Sequence, residues 1–284
     1  PFQALLLQRL IVIFQSGINT ETRELTQESP LRKISRMLFS VITITKDDEE
    51  AFKATCRSVL EQDFEFQWII KDGSAVSVYT TELEPRAGLI IDRNRDTGIY
   101  DAMNQGVSKA SGDYIIFMNS GDRFASKNTL SEISKLIEDR NVDVYYGNHL
   151  LDLGNSSPLP RSAKPMWQMN FRMPFSHQSC FIKKQLLIEN KFKTNSGSAA
   201  DYGFLLNLFD NHARFQDLRM DVSIIDVNGI SNRSRIKSIM SRIKFVLNGD
   251  KLIYIVLRLI FNFLCLICEI LRLLILITLL RRYD

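Results

Sequence analysis

The hydrophobic pattern of residues 37–147 alternates between short apolar runs and amphipathic stretches. β-Branched or continuous apolar runs predict strands at 38–45, 66–71, 88–92, 114–118 and 142–147. Periodic apolar positions between them predict helices at 48–62, 99–110 and 128–138. This alternation favours an α/β fold with a mainly parallel sheet covered by helices on both faces.

The pattern after residue 150 is less regular. Three prolines fall between residues 152 and 173, which predicts an irregular loop region. A strand is expected at 179–183 with a helix through 189, then a helix at 199–209 with Asp201 in its first turn, and a last strand at 222–227.

The two ends of the chain differ in composition from the middle. Residues 1–36 hold an apolar stretch of about eleven residues, too short for the roughly 20 that span a bilayer, and then a polar segment. We therefore expect an extension of uncertain role at 1–36, which either touches a membrane or lies outside the functional unit, and a main domain at 37–230.

Residues 231–284 predict membrane-associating helices. Basic residues alternate with apolar ones up to about residue 250, and 252–280 is apolar apart from a few residues such as Arg258, Glu269 and Arg272. Because a charge at the centre of a bilayer is costly, we expect helices that lie in or dip into the interface. A transmembrane span is the second interpretation, and a buried core helix or an oligomer interface is the third.

Composition and charge limit the kinds of partner that we expect this protein to bind. The formal net charge is +4, from 36 Lys and Arg against 32 Asp and Glu, and the basic residues concentrate before and after the apolar C-terminal stretch. This arrangement favours an anionic membrane surface over nucleic acid. The four cysteines predict no disulfide framework, and Cys265 and Cys268 form a C-x-x-C inside an apolar helix pattern, so a reducing, cytoplasmic setting is expected.

Carboxylates follow several predicted strands. Asp72 comes directly after a predicted strand, Asp122 follows another after three residues, and Asp96 lies in the loop after a third. Each of these three could be a turn former or a solvated charge. Asp201 could simply be an acidic residue that the helix dipole stabilises in the first turn. Ligands of open α/β sheets bind beyond the carboxyl ends of the strands, so together these residues predict a ligand site.

Residues 39–122 resemble the family 2 glycosyltransferases of the GT-A fold, especially bacterial enzymes that build capsule, colanic-acid-like or O-antigen polysaccharides. The matching pieces include KDGS at 71–74, DTGIYDAMNQG at 96–106 and ASGDYIIFMNSGD at 110–122. Further pieces are SVITIT at 40–45, RSVLEQ at 57–62, SHQS at 176–179, AADY at 199–202 and NGIS at 228–231.

The resemblance implies a role for each matching residue. Thr43, Thr45 and Asp72 would hold the nucleotide base, with Asp72 accepting a uracil N–H. The ribose and phosphates would lie beside Asp96 and Asn104, and Asn119 would also bind the nucleotide-sugar. His177 would lie near the diphosphate or the acceptor. Asp122 would bind Mn²⁺ or Mg²⁺ at the diphosphate, and Asp201 would be the general base.

The implied reaction is the inverting transfer of a sugar from a nucleotide-sugar, a UDP-hexose or UDP-HexNAc, to a lipid-linked or saccharide acceptor. We expect it at the cytoplasmic face of a bacterial inner membrane. Three positions depart from the family pattern. Val76 stands where the family usually has a second aspartate, and Asn119 begins a metal motif that usually has two aspartates. Gly203 follows Tyr202 where an acidic residue is frequent.

Other classes of function compete with this interpretation. A nucleotidyltransferase that makes nucleotide sugars would also be a metal-dependent α/β protein, but it should carry a glycine-rich loop after its first strand, and residues 44–48 contain no glycine. A Rossmann oxidoreductase or a methyltransferase would need G-x-G-x-x-G at the same place, and this motif is absent there. A non-catalytic membrane-tethered scaffold would lose no activity when Asp122 or Asp201 is changed.

Overall fold

The computed structural model describes residues 37–76, 80, 83–137, 141–154, 157–195, 197–226, 239–240, 243 and 252–280. All of them belong to a unit, Met37–Asp284, that is separate from Pro1–Arg36. The extension at 1–36, most of the basic segment at 231–250 and the NGIS piece lie outside the described residues, so the predictions made for them stay predictions.

Four parallel strands form the first half of the sheet. They are β1 (Phe39–Thr45), β2 (Gln67–Asp72), β3 (Leu89–Asp92) and β4 (Tyr114–Phe117), in the order β3-β2-β1-β4. The apolar runs of β1, β2 and β4 are almost completely buried, as expected for strands covered on both faces. The predicted α/β fold is therefore confirmed in this half.

Helices cover both faces of these strands. The described helices are α1 (Glu49–Leu60), α2 (Ile99–Lys109), α3 (Thr129–Leu136), α4 (Lys184–Asn190), α5 (Ala200–Asp210) and α6 (Leu252–Leu280). The carboxylate of Asp48 accepts a hydrogen bond from the Ala51 amide at 3.1 Å and so fixes the start of α1. Gly106 lets α2 approach the sheet closely, because a Cβ there would lie 2.8 Å from the side chain of Ile42.

The second half of the sheet is mixed. Beyond β4 lie β8 (Cys180–Lys183), β6 (Val144–Asp152), β9 (Phe215–Asp226) and β5 (Arg123–Phe124), in that order, with β7 (Leu159–Arg161) paired to β6. β8 is antiparallel to both of its neighbours, whereas β9 is parallel to β6. One sheet therefore runs through all the described strands.

Three strand predictions need correction. β7 lies in the region expected to be a loop, β5 was not expected, and β9 begins at Phe215 and not near residue 222. The first part of β9 is polar and partly exposed, with Arg219 at φ 53°. Such a segment has no apolar period, so its pairing with β6 decides its conformation.

The C-terminal helix α6 presents apolar side chains to solvent along one side. The exposed ones among those described are Val256, Ile260, Phe263, Leu264, Ile267, Ile270, Leu271, Leu274 and Ile275. No helix of the described part of the chain has both the length and the apolar character needed to cross a membrane. Where the helix meets the domain, its Phe261 ring lies 5.2 Å from that of Phe171, measured between centroids.

Candidate active site

The candidate site lies at the carboxyl ends of β1, β2 and β4. Asp72 is the last residue of β2, and its Cα is paired with that of Thr45 at the end of β1. The chain after β4 continues along β1, since the Ser120 amide donates to the Ile44 carbonyl at 3.0 Å. The segment 118–122 is thus held beside the end of β1, where open α/β sheets bind ligands.

The carboxylate of Asp72 organises the loop that follows β2. It accepts hydrogen bonds from the Ser74 amide at 3.0 Å and from the Thr80 hydroxyl at 2.8 Å, and the Arg93 Nε lies 3.8 Å away. The side chain is fully buried in this arrangement. The structure therefore shows Asp72 as a support of the loop, while its predicted contact with a base stays a prediction.

Asp96 meets the same loop from the other side. Its Oδ2 lies 3.6 Å from the Nζ of Lys71, a fully buried lysine that also donates to the Asn94 carbonyl. A Cβ at Gly73 would lie 3.1 Å from that carboxylate, so the absence of a side chain lets the two loops touch. Lys71 is a positive charge at the site to which the sequence analysis assigned no role.

Two predicted donor-binding residues use their side chains for hydrogen bonds within the fold. The Thr43 hydroxyl accepts a hydrogen bond from the Trp68 indole N–H at 3.0 Å and is completely buried. The side-chain amide of Asn104 bonds the carbonyl and the amide of Phe192, each at 2.9 Å. The polar groups of these two residues hold parts of the fold together, and their predicted contacts with the donor stay predictions. Thr45 is also buried, at the end of β1.

Asp122 is a buried carboxylate presented by a tight turn. Gly121 adopts φ +97°, which glycine tolerates and other residues rarely adopt. The Thr55 hydroxyl from α1 lies 2.7 Å from the Asp122 carbonyl oxygen and holds the turn against the helix. The carboxylate Oδ2 accepts a hydrogen bond from the Gln178 side chain at 3.0 Å, and Asp122 as a whole is only 6% exposed.

The surroundings of Asp122 raise its pKa to about 6 from an ordinary value of 3.8. Burial is the largest cause, and the negative charge of Asp226 adds to it. The hydrogen bond from Gln178, the charge of His177 and a main-chain hydrogen bond from Asp226 act in the opposite direction. The carboxylate is thus held in surroundings that would favour a positive charge beside it.

Two oxygen atoms next to Asp122 are buried without a partner among the described residues. They are the Oδ1 of Asn119 and the Oγ of Ser120. Buried polar atoms are rarely left unsatisfied, so these atoms indicate a place for a ligand. No group of three or more His, Cys, Asp or Glu side chains in the described part of the chain could hold a metal by itself. The oxygens present fit a hard divalent cation only if a ligand supplies further oxygens.

Asp201 forms a second acidic centre. Its Oδ2 lies 3.1 Å from the His177 Nδ1, and its Oδ1 lies 3.5 Å from the Tyr100 hydroxyl. The His177 and Asp201 side chains are 16% and 13% exposed. Burial alone would lower the pKa of His177, but the hydrogen bond and charge of Asp201, together with the charge of Asp122, raise it. Burial and the charge of Asp201 also raise the pKa of Tyr100.

The segment 177–178 joins the two centres. His177 contacts Asp201 and the next residue, Gln178, contacts Asp122. Gln178 lies in the SHQS piece and Tyr100 in the DTGIYDAMNQG piece, but the family resemblance implied a role only for their neighbours His177, Asp96 and Asn104. Asp226, near Asp122 at the end of β9, carried no signal in the sequence. The structure brings Asp122, Asn119, His177 and Asp201 together. The side chains of Thr43 and Asn104 form hydrogen bonds with Trp68 and Phe192.

Comparison with known proteins agrees with this architecture. The family model for glycosyl transferase family 2 matches residues 40–197, which is more than half of the chain. The chain therefore belongs to glycosyl transferase family 2 and is a glycosyltransferase.

Similar proteins include a PGL/p-HBAD biosynthesis glycosyltransferase of Mycobacterium tuberculosis. It is 25% identical over a match of 242 residues in length, and the match covers 78% of this chain and 90% of the relative. Among solved structures, Staphylococcus aureus TarS 1-349 in complex with UDP-GlcNAc gives a TM-score of 0.59 at 20% identity, covering 76% of this chain and 68% of that one. The mannosyltransferase PcManGT of Pyrobaculum calidifontis, in complex with GDP-Man and Mn²⁺, gives 0.58 at 15% identity, covering 76% and 66%. These structures share the GT-A fold with this chain.

Proposed function

We propose that this glycosyltransferase moves a sugar from a UDP-hexose or UDP-HexNAc to a hydroxyl of a lipid-linked or saccharide acceptor, with inversion at the anomeric carbon. One observation carries the proposal: consecutive residues, His177 and Gln178, contact the candidate base Asp201 and the candidate phosphate-side carboxylate Asp122. A base and a leaving-group site held by one segment suit a single displacement. The PGL/p-HBAD biosynthesis relative supports glycolipid or polysaccharide biosynthesis as the setting.

In the proposed reaction Asp201 accepts the proton of the acceptor hydroxyl while that oxygen attacks the anomeric carbon. The bond between the anomeric carbon and the diphosphate oxygen breaks, and the nucleoside diphosphate leaves with the electron pair. His177 orients the Asp201 carboxylate by the contact at 3.1 Å. A direct attack on the face opposite the leaving group inverts the configuration.

Asp122, Asn119 and Ser120 would hold a Mn²⁺ or Mg²⁺ ion together with the donor's phosphates. Their carboxylate, amide and hydroxyl oxygens are the donors that these hard cations prefer. When bound, the cation would neutralise charge on the departing diphosphate. The Mn²⁺ in the PcManGT complex supports a divalent cation in this fold.

The proposed donor is a UDP-sugar because the family resemblance implies that Asp72 accepts a uracil N–H. The TarS complex with UDP-GlcNAc supports this choice, whereas the PcManGT complex holds GDP-Man. A thermal-shift comparison of UDP-, GDP- and dTDP-sugars tests it, since a ligand that binds the folded state alone raises the melting temperature. A larger shift with a GDP- or dTDP-sugar than with every UDP-sugar would overturn the UDP assignment.

The activity is tested by release of UDP from candidate donors with Mn²⁺ present. We expect Asp122→Asn and Asp201→Asn each to slow the release at least about a hundredfold, as is common when a charged catalytic group is lost. Glu132→Gln, which changes an exposed acid on α3, is the matched control and should keep the parent rate. Parent-like release in both site variants would show that Asp122 and Asp201 are wrongly assigned. No release by the parent with any donor would support a scaffold, and release of pyrophosphate from a sugar phosphate plus UTP would support a nucleotidyltransferase.

We also propose that α6 rests on the anionic cytoplasmic surface of a bacterial inner membrane. Its exposed apolar side chains would enter the interface, while the basic residues that flank it in the sequence would meet anionic lipid headgroups. Flotation with phosphatidylglycerol vesicles should recover the parent protein, and Ile260→Lys with Ile267→Lys should reduce the recovery. Leu136→Lys, at an exposed apolar position on α3, is the control. Equal recovery of all three proteins, or a dimer through α6 that ignores vesicles, would overturn this proposal.

A further inference from the structure

Helix α5 links the candidate base to the opposite end of the domain. Asp201 lies in its first turn and Asp210 is its last residue. Most side chains between them are buried in the core, so the helix moves as one body with its surroundings. A contact at its carboxyl end can therefore influence where its amino end lies.

Arg258 of α6 makes such a contact. Its Nη2 lies 2.9 Å from the Asp210 Oδ1, and its Nη1 lies 3.2 Å from the Oδ2, which is the two-pronged geometry typical of an arginine with a carboxylate. The Arg258 side chain is only 7% exposed. A buried arginine needs a partner to offset its loss of water, and here Asp210 supplies the opposite charge.

The same guanidinium also holds the turn Met166–Asn170. Its Nε donates to the Asn170 carbonyl at 3.1 Å, and its Nη2 lies 3.2 Å from the Asn170 Oδ1. This turn returns to α5, because the Met169 carbonyl accepts a hydrogen bond from the Tyr202 hydroxyl at 3.0 Å. Tyr202 is buried and directly follows Asp201.

These contacts form a closed ring that fixes α5 at both ends. Arg258 binds the carboxyl end through Asp210, and it binds the amino end through Asn170 and Tyr202. We propose that Arg258 is a positioning residue for Asp201, so that docking of α6 sets the rate at which the acceptor hydroxyl is deprotonated. This inference rests on the proposed role of Asp201 as the base.

The physical reason for an effect on rate is the sensitivity of proton transfer to distance. A displacement of about 1 Å from the productive geometry can cost about a hundredfold in rate. Asp201 is held by His177 from one side, and the position of its own main chain is set by α5. Loss of the ring would leave the base chemically intact while its distance to the acceptor became less well defined.

The test compares substitutions at Arg258 with one at Arg272 on the same helix. Arg258→Gln removes the charge and the two-pronged contact, and Arg258→Lys keeps the charge only. Arg272→Gln is the control, since Arg272 is exposed and pairs with Glu269 one turn earlier. Each protein is assayed as the full chain, at a temperature well below its own melting temperature.

We expect Arg258→Gln to lower kcat by about 10- to 100-fold and to leave the donor KM and the Kd for UDP within about twofold. Arg258→Lys should recover part of the loss, and Arg272→Gln should match the parent. Hydrogen exchange at the amides of residues 200–203 should become faster in Arg258→Gln. A purely structural role would lower the melting temperature of Arg258→Gln and leave kcat per folded molecule unchanged.

Asp210→Asn provides a second route if Arg258→Gln does not fold, because it weakens the same contact without leaving a buried space. A parent-like kcat in the folded variants would overturn the positioning role. The Asp201→Asn variant separates the two proposals. If it is inactive while the folded Arg258 and Asp210 variants keep their kcat, only the positioning role fails; if it is fully active, the proposed function fails.

Discussion

Replacing Asp122 with asparagine should abolish activity and stabilise the protein. The buried carboxylate has a pKa of about 6, whereas its ordinary value is 3.8. At about 1.36 kcal/mol for each pH unit, this difference corresponds to about 3 kcal/mol of destabilisation once the group is ionised. Asp122→Asn removes that ionisation and keeps an oxygen that can accept the Gln178 hydrogen bond found at 3.0 Å.

The sign of the effect follows from proton binding in the two states. Between pH 3.8 and about 6 the folded protein holds the proton on Asp122 while the unfolded chain has released it. The free energy of unfolding therefore falls as the pH rises through this window, and the full penalty is present above it. The advantage of Asp122→Asn should accordingly be absent near pH 4 and largest above pH 7.

Thermal unfolding in EDTA at several pH values measures the difference. Relaxation around the carboxylate makes about 3 kcal/mol an upper limit, so we expect a rise in melting temperature of about 3–10 °C near pH 8, given about 2–4 °C for each kcal/mol in a chain of this size. Glu132→Gln serves again as the control for loss of a negative charge. A variant no more stable than the parent above pH 7, or an advantage that does not change with pH, would refute the reasoning.

Further expectations concern the neighbours of the two acidic centres. Gln178→Ala should weaken Mn²⁺ binding in the presence of UDP by about tenfold in calorimetry, because an outer hydrogen bond that orients the ligand Asp122 is lost; unchanged affinity would contradict this. His177→Gln should cost stability below about pH 6.5, where the parent histidine is charged and paired with Asp201, and the cost should shrink as the pH rises through the raised pKa of His177; pH-dependent unfolding measures it, and a loss that grows with pH would be the opposite result. Asn104→Ala should lower stability by about 1–3 kcal/mol through two lost, partly buried hydrogen bonds and leave the donor KM unchanged; a large rise in KM would support its predicted place beside the donor.

Local pattern was sufficient for the elements that are buried on both faces. The apolar runs at β1, β2 and β4 marked these strands because such runs are stable only inside a covered sheet. The alternation of strand and helix then led to the α/β fold, which the structure confirms. It could not reveal β5, β7 or the polar start of β9, since these segments take their conformation from the strands they pair with.

The candidate site likewise has residues that the sequence could identify and contacts that only packing decides. Motifs singled out Asp122 and Asp201 because their residue types, and their positions after a strand and in the first turn of a helix, are visible in the chain. The motifs also included Thr43 and Asn104, whose side chains turn inward to Trp68 and to the Phe192 main chain. Which side of an element a polar group faces depends on what packs there, and that information is absent from a single segment.

The sequence by itself determined the family, the positions of the buried strands along the chain and the acids that follow them. Only the tertiary structure decided that His177 contacts Asp201, that Gln178 contacts Asp122, and that Arg258 reaches α5 from the C-terminal helix. Periodicity and turn chemistry act over a few neighbouring residues, so they can be read locally. Contacts between residues far apart in the chain exist because the sheet order and the packing of its helices bring them together.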